Sequence, residues 1–463
     1  MNFKFFRFLP LFLLSVAFVI GNAKAEGDKK ESNNQLSKVQ GTPVRAYLDI
    51  NNLSTVFKND GISDIDAQET NSGLVFPKGS GKAAVFTSGF LWGVKIPGDP
   101  QPRVGGTAYR TGLQGGKITN SGLPPAQLTA EDPEAANVRI YRVRPNVFPG
   151  GLSVDLSSEA SVEGLSQDAV RAQYEADWTN WPAADGAPYN DVDANGSYDP
   201  NVDIPGVPGA NQTIWFVAND LNPGRTTNLY GAQPIGVELQ ATIWAYSQTG
   251  ALGSMFFRKY KLINKSNTTF DSTYVSMWSD VDLGNSTDDF AGCDTTLSLG
   301  FVYNANANDA TYNPLPPPAV GFDFFQGPLL AGVAGQDRNK NGVDDAEDFG
   351  KVNGRVVGPG LINLPMTSYY YFARGDASVT DPVQGSIQGS TSFYNFFQGR
   401  IGLTGALFVD PNTQQTTTYA LSGDAQARKG WIDGQLIGPG DRRMGMASGP
   451  FQMAPGDTQE VVV

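Results

Sequence analysis

Residues 237–246, with the sequence VELQATIWAY, decide the class of fold. Alternate side chains in this stretch are apolar, which gives an extended chain one apolar face and one more polar face. The apolar face comprises Val237, Leu239, Ala241, Ile243 and Ala245, and the polar face comprises Glu238, Gln240 and Thr242. This alternation predicts a strand of an antiparallel sheet whose apolar face packs on a core.

Stretches of a similar kind occur on both sides of it, separated by polar turns. Three strands are predicted after it, at residues 255–263, 273–278 and 296–302, and their spacing predicts a four-stranded antiparallel meander that packs on a second sheet. Further strands are predicted at residues 83–96, 138–143, 213–217, 368–373 and 406–409. The predicted fold class is mainly β, with one or more antiparallel β-sandwiches and long loops.

One helix interrupts the pattern of strands. Within residues 166–178 (SQDAVRAQYEADW), apolar side chains recur at four-residue spacing, which places them on one face of a helix. These side chains are Val170, Tyr174 and Trp178. Ser166 provides an N-cap and Pro182 ends the run. The sequence therefore predicts one short helical insert.

The composition favours turns and excludes several kinds of chemistry. The chain has 463 residues, of which 54 are Gly and 30 are Pro, and this content of turn-forming residues suits short strands better than long helices. It has no His, which excludes catalytic relays that need imidazole and excludes His-bound zinc or copper. Its one Cys excludes an intramolecular disulfide and a metal cluster held by Cys alone. The metal ligands that remain are oxygen atoms.

The first 25 residues have the pattern of a secretory signal. Lys4 and Arg7 precede a short apolar run, and the small residues Ala23 and Ala25 suit cleavage. A membrane anchor is the alternative, but the apolar run is shorter than the ~20 residues of a spanning helix. We therefore expect an exported protein, extracellular or on the outer cell surface, with no transmembrane segment in the mature chain. The net charge of -13 argues against nucleic acid as a partner.

Composition divides the rest of the chain into segments. Residues 26–41 are polar and predict a flexible leader. A β-rich amino-terminal domain is predicted at 42–150, an insert with the helix and an acidic loop at 151–210, and a β-sandwich domain at 211–463. The final residues, 457–463 (DTQEVVV), predict a strand whose exposed edge would favour aggregation. We therefore expect the sequence to be the amino-terminal part of a longer protein.

Two acidic loops that contain glycine carry the strongest functional signal. Calcium takes six to eight oxygen ligands, and alternate side chains can surround it only where the chain bends sharply, as glycine at the sixth position allows. In the second acidic loop, residues 337–348, the candidate ligands are Asp337, Asn339, Asn341, the carbonyl of Val343, Asp345 and Asp348. They occupy positions 1, 3, 5, 7, 9 and 12 of such a loop.

The first acidic loop, residues 191–203, follows the same spacing until its end. Its candidate ligands are Asp191, Asp193, Asn195, Ser197, Asp199 and Asp203. Val202 stands where the last ligand is expected, and Asp203 comes one residue later. The alternative for both loops is a solvated turn, since Asn, Asp and Gly dominate turns in any case.

A third group of acids follows the strand predicted at 273–278. It comprises Asp280, Asp282, Asp288, Asp289 and Asp294. Asp280 and Asp282 fall on one side of an extended chain. The sequence favours a metal site or a solvated loop over the acid and base of a glycosidase, whose carboxyl groups would lie ~5 to 10 Å apart in an open cleft. Cys293 lies among these acids, which are expected to raise its pKa, and it is predicted to be a packed thiol.

Two resemblances to known families bear on these signals. The acidic loops resemble the calcium loops of dockerin and thrombospondin type 3 repeats, which share the core Asp-x-Asp/Asn-x-Asn/Asp-Gly. This resemblance implies calcium in a structural role.

The second resemblance rests on three longer stretches of the sequence. They are YKLINKS (260–266), MWSDVDLGNSTDDFAGC (277–293) with Asp294, and DRRMGMASGPFQMAPGDTQEV (441–461). They resemble the amino-terminal region of large exported bacterial proteins that usually end in a sorting domain for type IX secretion. This resemblance implies a surface or released protein and no particular activity.

The sequence thus predicts a calcium-stabilised secreted or cell-surface protein with a structural or adhesive role and no evident catalytic group. Glycans or other surface proteins are the expected partners. One alternative is a carbohydrate-binding module, in which aromatic side chains on a sheet face stack on sugar rings. The tryptophans available for this are Trp92, Trp178, Trp181, Trp215, Trp244, Trp278 and Trp431. The other alternative is a carboxylate-based polysaccharide hydrolase that uses the third group of acids.

Overall fold

The computed structural model describes residues 44–66, 68–333, 335–338 and 340–463. The predicted signal segment, the flexible leader and Asn339 lie outside these residues. The described α-helices are α1 (Ser157–Glu163), α2 (Gln167–Thr179), α3 (Pro223–Tyr230) and α4 (Ile387–Phe397). Short 3₁₀ helices occur at Pro125–Gln127, Ala183–Asp185, Ala251–Ser254, Ser286–Asp288 and Ala377–Val379.

The described strands are short, with a few long ones that form the centre of the molecule. In chain order they are β1 (Arg45–Leu48), β2 (Thr55–Lys58), β3 (Leu74–Val75), β4 (Ala83–Val85), β5 (Thr87–Lys95), β6 (Arg103–Gly106), β7 (Gln114–Gly115), β8 (Tyr141–Val143), β9 (Tyr189–Asn190), β10 (Ile204–Pro205), β11 (Gln212–Asn219), β12 (Val237–Ala245), β13 (Phe256–Asn264), β14 (Phe270–Val281), β15 (Asp289–Asp294), β16 (Leu299–Asn304), β17 (Ala319–Asp323), β18 (Leu329–Ala331), β19 (Gly350–Val352), β20 (Arg355–Val357), β21 (Leu361–Asn363), β22 (Ser368–Ala373), β23 (Phe408–Val409), β24 (Thr416–Thr417), β25 (Arg442–Met453) and β26 (Thr458–Val462).

The first of two central sheets has the order β26-β13-β12-β11-β7, and β8 also pairs with β11. All its pairings are antiparallel. The stretch that decided the fold class forms β12, and its alternate apolar side chains, from Val237 to Ala245, are buried in the main core. The period of two in the sequence therefore identifies the inner face of this six-stranded sheet.

The second central sheet has the order β22-β25-β14-β5-β6 and is also antiparallel throughout. Met277 on β14 lies opposite Phe90 on β5 and Met446 on β25. The Phe90 ring stacks on the Tyr260 ring of the six-stranded sheet, with the ring centroids 4.3 Å apart. The two sheets thus share a core through their inner faces, which confirms a mainly β, sandwich-type fold.

Helix α4 covers the other face of the five-stranded sheet. The Ser386 side chain caps it by accepting a hydrogen bond from the Gly389 N–H. Its aromatic side chains pack on the sheet, and the Phe396 and Tyr370 rings stack with centroids 5.4 Å apart. Gly93 allows this close approach, because a Cβ atom there would lie 2.8 Å from the Tyr394 ring. The fold therefore has a third, helical layer, which the sequence did not predict.

Three predictions about the elements have clear outcomes. Helix α2 is confirmed, with its cap at Ser166 and with Val170, Tyr174 and Trp178 buried. The four-stranded meander is wrong: β12 pairs with β13, but β14 belongs to the five-stranded sheet and β16 to a separate sheet with β15 and β17. The single helical insert is also too few, since α3 and α4 lie outside it. Turn spacing predicted many of the strands but not β25, and it did not determine which strands pair.

Segments that the sequence assigned to different domains share this architecture. β5 and β6 come from the predicted 42–150 domain and pair within a sheet whose other strands come from 211–463. The last strand, β26, pairs with β13, and a bridge between Gln326 and Val462 lies on its other side. Val461 is fully buried, so this strand does not present the exposed β-branched edge that the sequence suggested. Among the described residues, no helix has the length and apolar character needed to cross a membrane.

Candidate cation-binding sites

The first acidic loop joins the two strands of a small hairpin. β9 and β10 pair antiparallel, with Asn190 opposite Ile204, and the loop fills the space between them. Two hydrogen bonds attach the loop to the end of α2: the Tyr198 hydroxyl donates to the Trp178 carbonyl at 2.7 Å, and the Trp178 indole donates to the Pro200 carbonyl at 2.9 Å. The loop therefore has a fixed position on the helix that precedes it.

Carboxylates at the two ends of this loop bind its backbone. Asp191 accepts the N–H groups of Asn195 and Gly196 at 3.1 and 2.8 Å. Asp203, which is 1% exposed, accepts those of Val192 and Asp199 at 2.9 and 2.8 Å. One carboxylate oxygen from each of Asp191, Asp193 and Asp203 lies within 4.8 Å of the other two. Asp203, which comes one position late in the sequence, therefore lies close to Asp191 and Asp193.

The second acidic loop repeats these hydrogen bonds. Asp337 accepts the N–H groups of Asn341 and Gly342 at 3.1 and 2.7 Å. Asp348, which is 5% exposed, accepts those of Arg338 and Asp345 at 2.8 and 3.2 Å. Asp348 therefore corresponds to Asp203, even though the distance in sequence from the first aspartate is shorter by one residue.

The side chains in the middle of the two loops also correspond. The Asn195 side-chain oxygen accepts the Ser197 N–H, as that of Asn341 accepts the Val343 N–H. Asp199 accepts the Asn201 N–H, and Asp345 accepts the Glu347 N–H. Asn195 also donates from its amide to Asp193. Asn339 would complete the comparison but lies outside the described residues.

The backbone of both loops turns through the left-handed region at the same two positions. Ala194 and Lys340 have φ angles of 58° and 61°. Gly196 and Gly342, two residues further on, have φ angles of 78° and 98°. Glycine adopts this conformation without the steric cost that a Cβ atom brings, which accounts for glycine at the sixth position of each loop. Two segments far apart in the sequence therefore have the same local fold.

The third group of acids is assembled differently from its prediction. β14 and β25 pair with Asp280 opposite Arg443 and Val281 opposite Arg442. Asp282 and Asp441 come next along the two strands, and one carboxylate oxygen from each of Asp280, Asp282 and Asp441 lies within 4.8 Å of the other two. This convergence is not the separated pair in an open cleft that the hydrolase alternative requires.

Arg443 holds two of these carboxylates. Its Nε donates to Asp280 Oδ2 at 3.0 Å, and a terminal nitrogen donates to Asp441 Oδ2, also at 3.0 Å. Burial raises the pKa of Asp280 to about 7; Arg443 opposes the rise, and the charges of Asp282 and Asp441 add to it. Burial, followed by the charge of Asp441, raises the pKa of Asp282 to about 6. Negative charge here exceeds what one guanidinium can balance.

The other acids predicted for this group lie outside the triad of Asp280, Asp282 and Asp441. Asp289 is fully buried, accepts the Leu283 N–H at 3.1 Å, and has a pKa that burial raises to about 8. Asp288 accepts a hydrogen bond from Asn306, and Asp294 accepts one from Thr296. Burial raises the pKa of the Cys293 thiol far above its usual range, with a smaller contribution from Asp294, and the buried thiol donates a hydrogen bond to the Ala420 carbonyl.

Sequence reasoning missed Asp441, and only the strand register brings it to the site. Asp441 opens one of the stretches used for the family resemblance, but it is far from Asp280 and Asp282 in the chain. A period of two places Asp280 and Asp282 on one side of β14, and it places Arg443 and Asp441 on the facing side of β25. Knowing that β14 pairs with β25 in this register would have been enough to find it.

Most of the tryptophans are buried, but one belongs to an open aromatic patch. Trp244 is half-buried on the outer face of β12, and its ring stacks on that of Phe257 with centroids 5.2 Å apart. Tyr246 and Phe325 contact the same Phe257 ring, and Phe325 is 59% exposed. We call these four side chains the aromatic patch.

The sequence matches no protein-family model, and no curated protein is detectably similar to it.

Proposed function

We propose that the protein binds calcium in its two acidic loops and uses the ions to brace a secreted or cell-surface β-scaffold with a structural or adhesive role. The observation that carries this proposal is the shared arrangement of the loops. In each, a leading aspartate binds the backbone around the glycine, and a buried closing aspartate binds the second and ninth residues of the loop.

A solvated turn does not require this arrangement. A single Asn or Asp is enough to hold a turn, whereas each loop here gathers oxygen side chains at alternate positions around one bend. Backbone N–H groups occupy only part of the acceptor capacity of a carboxylate, because each oxygen has a second lone pair. Asp191, Asp193 and Asp203 approach one another closely, and a divalent cation would offset their repulsion.

The role of the ions follows from the rest of the chain. Its only cysteine is a free thiol, so no disulfide within the chain can brace these loops. The first loop is attached to α2 through Trp178, and the second lies between β18 and β19. Calcium at these places would reduce the motion of long connections between strands, and its binding free energy would add to the stability of the folded state.

Calcium binding is testable by calorimetric titration of the EDTA-treated protein. We expect one calcium ion for each loop, and Asp191→Asn and Asp337→Asn should each abolish or weaken one binding event while leaving the other. The unfolding free energy should rise by about 3 kcal/mol per site at free calcium near 100 times the Kd. Superimposable thermal melts in EDTA and in calcium would contradict the proposal.

Asp410→Asn is a matched control for the loop variants. Asp410 also heads an exposed turn and accepts the Asn412 N–H at 2.8 Å, but no acidic side chains alternate after it. This variant should bind calcium as the wild type does. Equal losses in Asp410→Asn and Asp337→Asn would mean that loss of charge, and not loss of a ligand, weakens binding.

A second candidate function is carbohydrate recognition at the aromatic patch. The observation that favours it is the stacked pair Trp244 and Phe257 on an outer sheet face, beside the exposed Phe325 ring. Aromatic side chains of this kind combine a large apolar face with a rigid geometry, and the apolar faces of sugar rings stack on them.

Glycan binding at this patch can be measured on an array with calcium present. Trp244→Ala should remove any binding, whereas replacement of Phe148, which is 39% exposed and packs on Trp178 away from the patch, should not. The absence of binding by the wild-type protein would exclude this candidate for the glycans on the array.

A further inference from the structure

Asp280, Asp282 and Asp441 meet at the ends of the two strands in the middle of the five-stranded sheet. We propose that these three side chains form a third cation site, separate from the acidic loops, that takes a hard divalent cation such as Mg²⁺ or Mn²⁺. Their carboxylate oxygens lie within 4.8 Å of one another although Asp441 comes from a distant part of the chain.

An independent sign of a missing partner comes from the hydrogen bonds of these carboxylates. Asp280 is only 6% exposed, and its Oδ1 atom is buried and accepts no hydrogen bond from the described residues. The Oδ1 atom of Asp441 is also buried and accepts no hydrogen bond from the described residues. The Oδ2 atoms of both residues accept hydrogen bonds from Arg443. A buried carboxylate oxygen without a partner is costly, and such atoms in a folded protein normally contact a hydrogen-bond donor, a water molecule or an ion.

Charge points to the same kind of ligand. Three carboxylates face one guanidinium, and Arg443 is itself shared with Asp381 at 3.6 Å. The triad and Arg443 together carry a charge of about -2 when ionised, which a divalent cation would neutralise. An oxygen-only ligand set suits Mg²⁺ or Mn²⁺ better than zinc, which prefers nitrogen and sulfur.

The number of protein ligands narrows the choice of ion. Calcium usually takes six to eight oxygen ligands, and the acidic loops offer alternating oxygen side chains for such a shell. The triad offers three carboxylates on or directly beside two paired strands, and Mg²⁺ characteristically keeps several water molecules when few carboxylates hold it. Bound there, the ion would join the end of β14 to the start of β25.

The probe for this site is Mn²⁺, whose free concentration is read by electron paramagnetic resonance. The full chain carrying Asp191→Asn and Asp337→Asn provides a background in which the loops are weakened. We expect this background to retain a Mn²⁺ site, and Asp282→Asn added to it should weaken binding at least about ten-fold. Unchanged Mn²⁺ affinity after Asp282→Asn, or no Mn²⁺ binding by the background, would overturn the proposal.

Asp294→Asn is the control, because Asp294 belongs to the same acidic stretch of sequence but lies outside the triad. It should leave Mn²⁺ affinity unchanged. Thermal melts check folding: Mn²⁺ should raise the Tm of the background and not that of the Asp282→Asn variant, and an equal rise in both would overturn the site. Loss of calcium binding by the loops would leave these results unaffected, so the two proposals can fail separately.

Discussion

Asp220 is a fully buried acid that holds the connection between β11 and β12. Its carboxylate accepts the N–H groups of Ile235, Gly236 and Val237 at 2.8, 3.0 and 2.9 Å. These bonds favour the charged form, but burial outweighs them and raises its pKa from 3.8 to about 6. The folded protein therefore binds a proton at Asp220 more tightly than the unfolded chain does.

This pKa predicts how stability depends on pH. Because the pKa is higher in the folded state, the contribution of Asp220 is fully present below about pH 4 and is lost as the pH rises through about 6, a change of about 3 kcal/mol. Asp220→Asn should be less stable throughout, by about 1–3 kcal/mol near neutral pH, because its amide would face a backbone N–H. The difference between wild type and variant, measured by chemical denaturation, should shrink from pH ~4 to pH ~6.

Asp294→Asn is the control for this experiment. A hydrogen bond from Thr296 lowers the pKa of Asp294, so any contribution from Asp294 is lost as the pH falls, which is the opposite sign. This variant should keep the wild-type slope between pH ~4 and pH ~6. An Asp220→Asn variant with the wild-type slope would show that Asp220 is ionised in the folded protein throughout this range.

At the residue scale, the sequence predicted which side chains meet where the spacing is local. The positions of Asp191 and Asp337 relative to the following glycine could be predicted because a few neighbouring residues determine the bend. The place of Asp203 could not be predicted from the spacing, because one extra residue separates it from Asp199. A turn in which the Val202 and Asp203 N–H groups both bind the Asp199 carbonyl accommodates the extra residue. Asp441 could not be predicted at all, since its place depends on the pairing of two distant strands.

The contact between β5 and α4 gives a prediction at the scale of elements. Gly93 faces the helix, and a Cβ atom there would lie 2.8 Å from the Tyr394 ring and 2.9 Å from the Phe397 ring. Both rings are packed, so Gly93→Ala should force the helix and the sheet apart and lower the unfolding free energy by about 1–3 kcal/mol. Denaturant titration of the purified variant measures this loss.

Gly438→Ala is a matched control, because nothing lies within 4 Å of a Cβ atom at this position. Its stability should stay within about 0.5 kcal/mol of the wild type. If Gly93→Ala were as stable as Gly438→Ala, the helix would have room to move, and the third layer would be less tightly packed than the contact distances imply.

At the element scale, periodicity identified strands and one helix but not the second important helix. The residues of α4, IQGSTSFYNFF, include glycine and several serine, threonine and aromatic residues that favour helices weakly. Their aromatic side chains adopt a helix because they pack on the five-stranded sheet, which is a tertiary effect. In α2, by contrast, the cap and the four-residue spacing are local, and the prediction was correct.

At the scale of the whole molecule, the central strands come from widely separated parts of the chain. Asp280 on β14 and Arg443 on β25 are 163 residues apart in sequence and form an ion pair. Ser88 on β5 and Ser279 on β14 are 191 residues apart and share a hydrogen bond. Local patterns in the sequence predict a β-rich chain, but they do not indicate which of these distant strands pair.

The position of β25 has a consequence for how the protein is made. It lies between β14 and β22, and so the middle of the five-stranded sheet has a gap until residues 442–453 have left the ribosome. We expect folding to be slow, because distant segments must first find each other. The five-stranded sheet can be completed only after most of the chain has been synthesised. Until then β14 can pair with β5, but β22 has no neighbouring strand in this sheet.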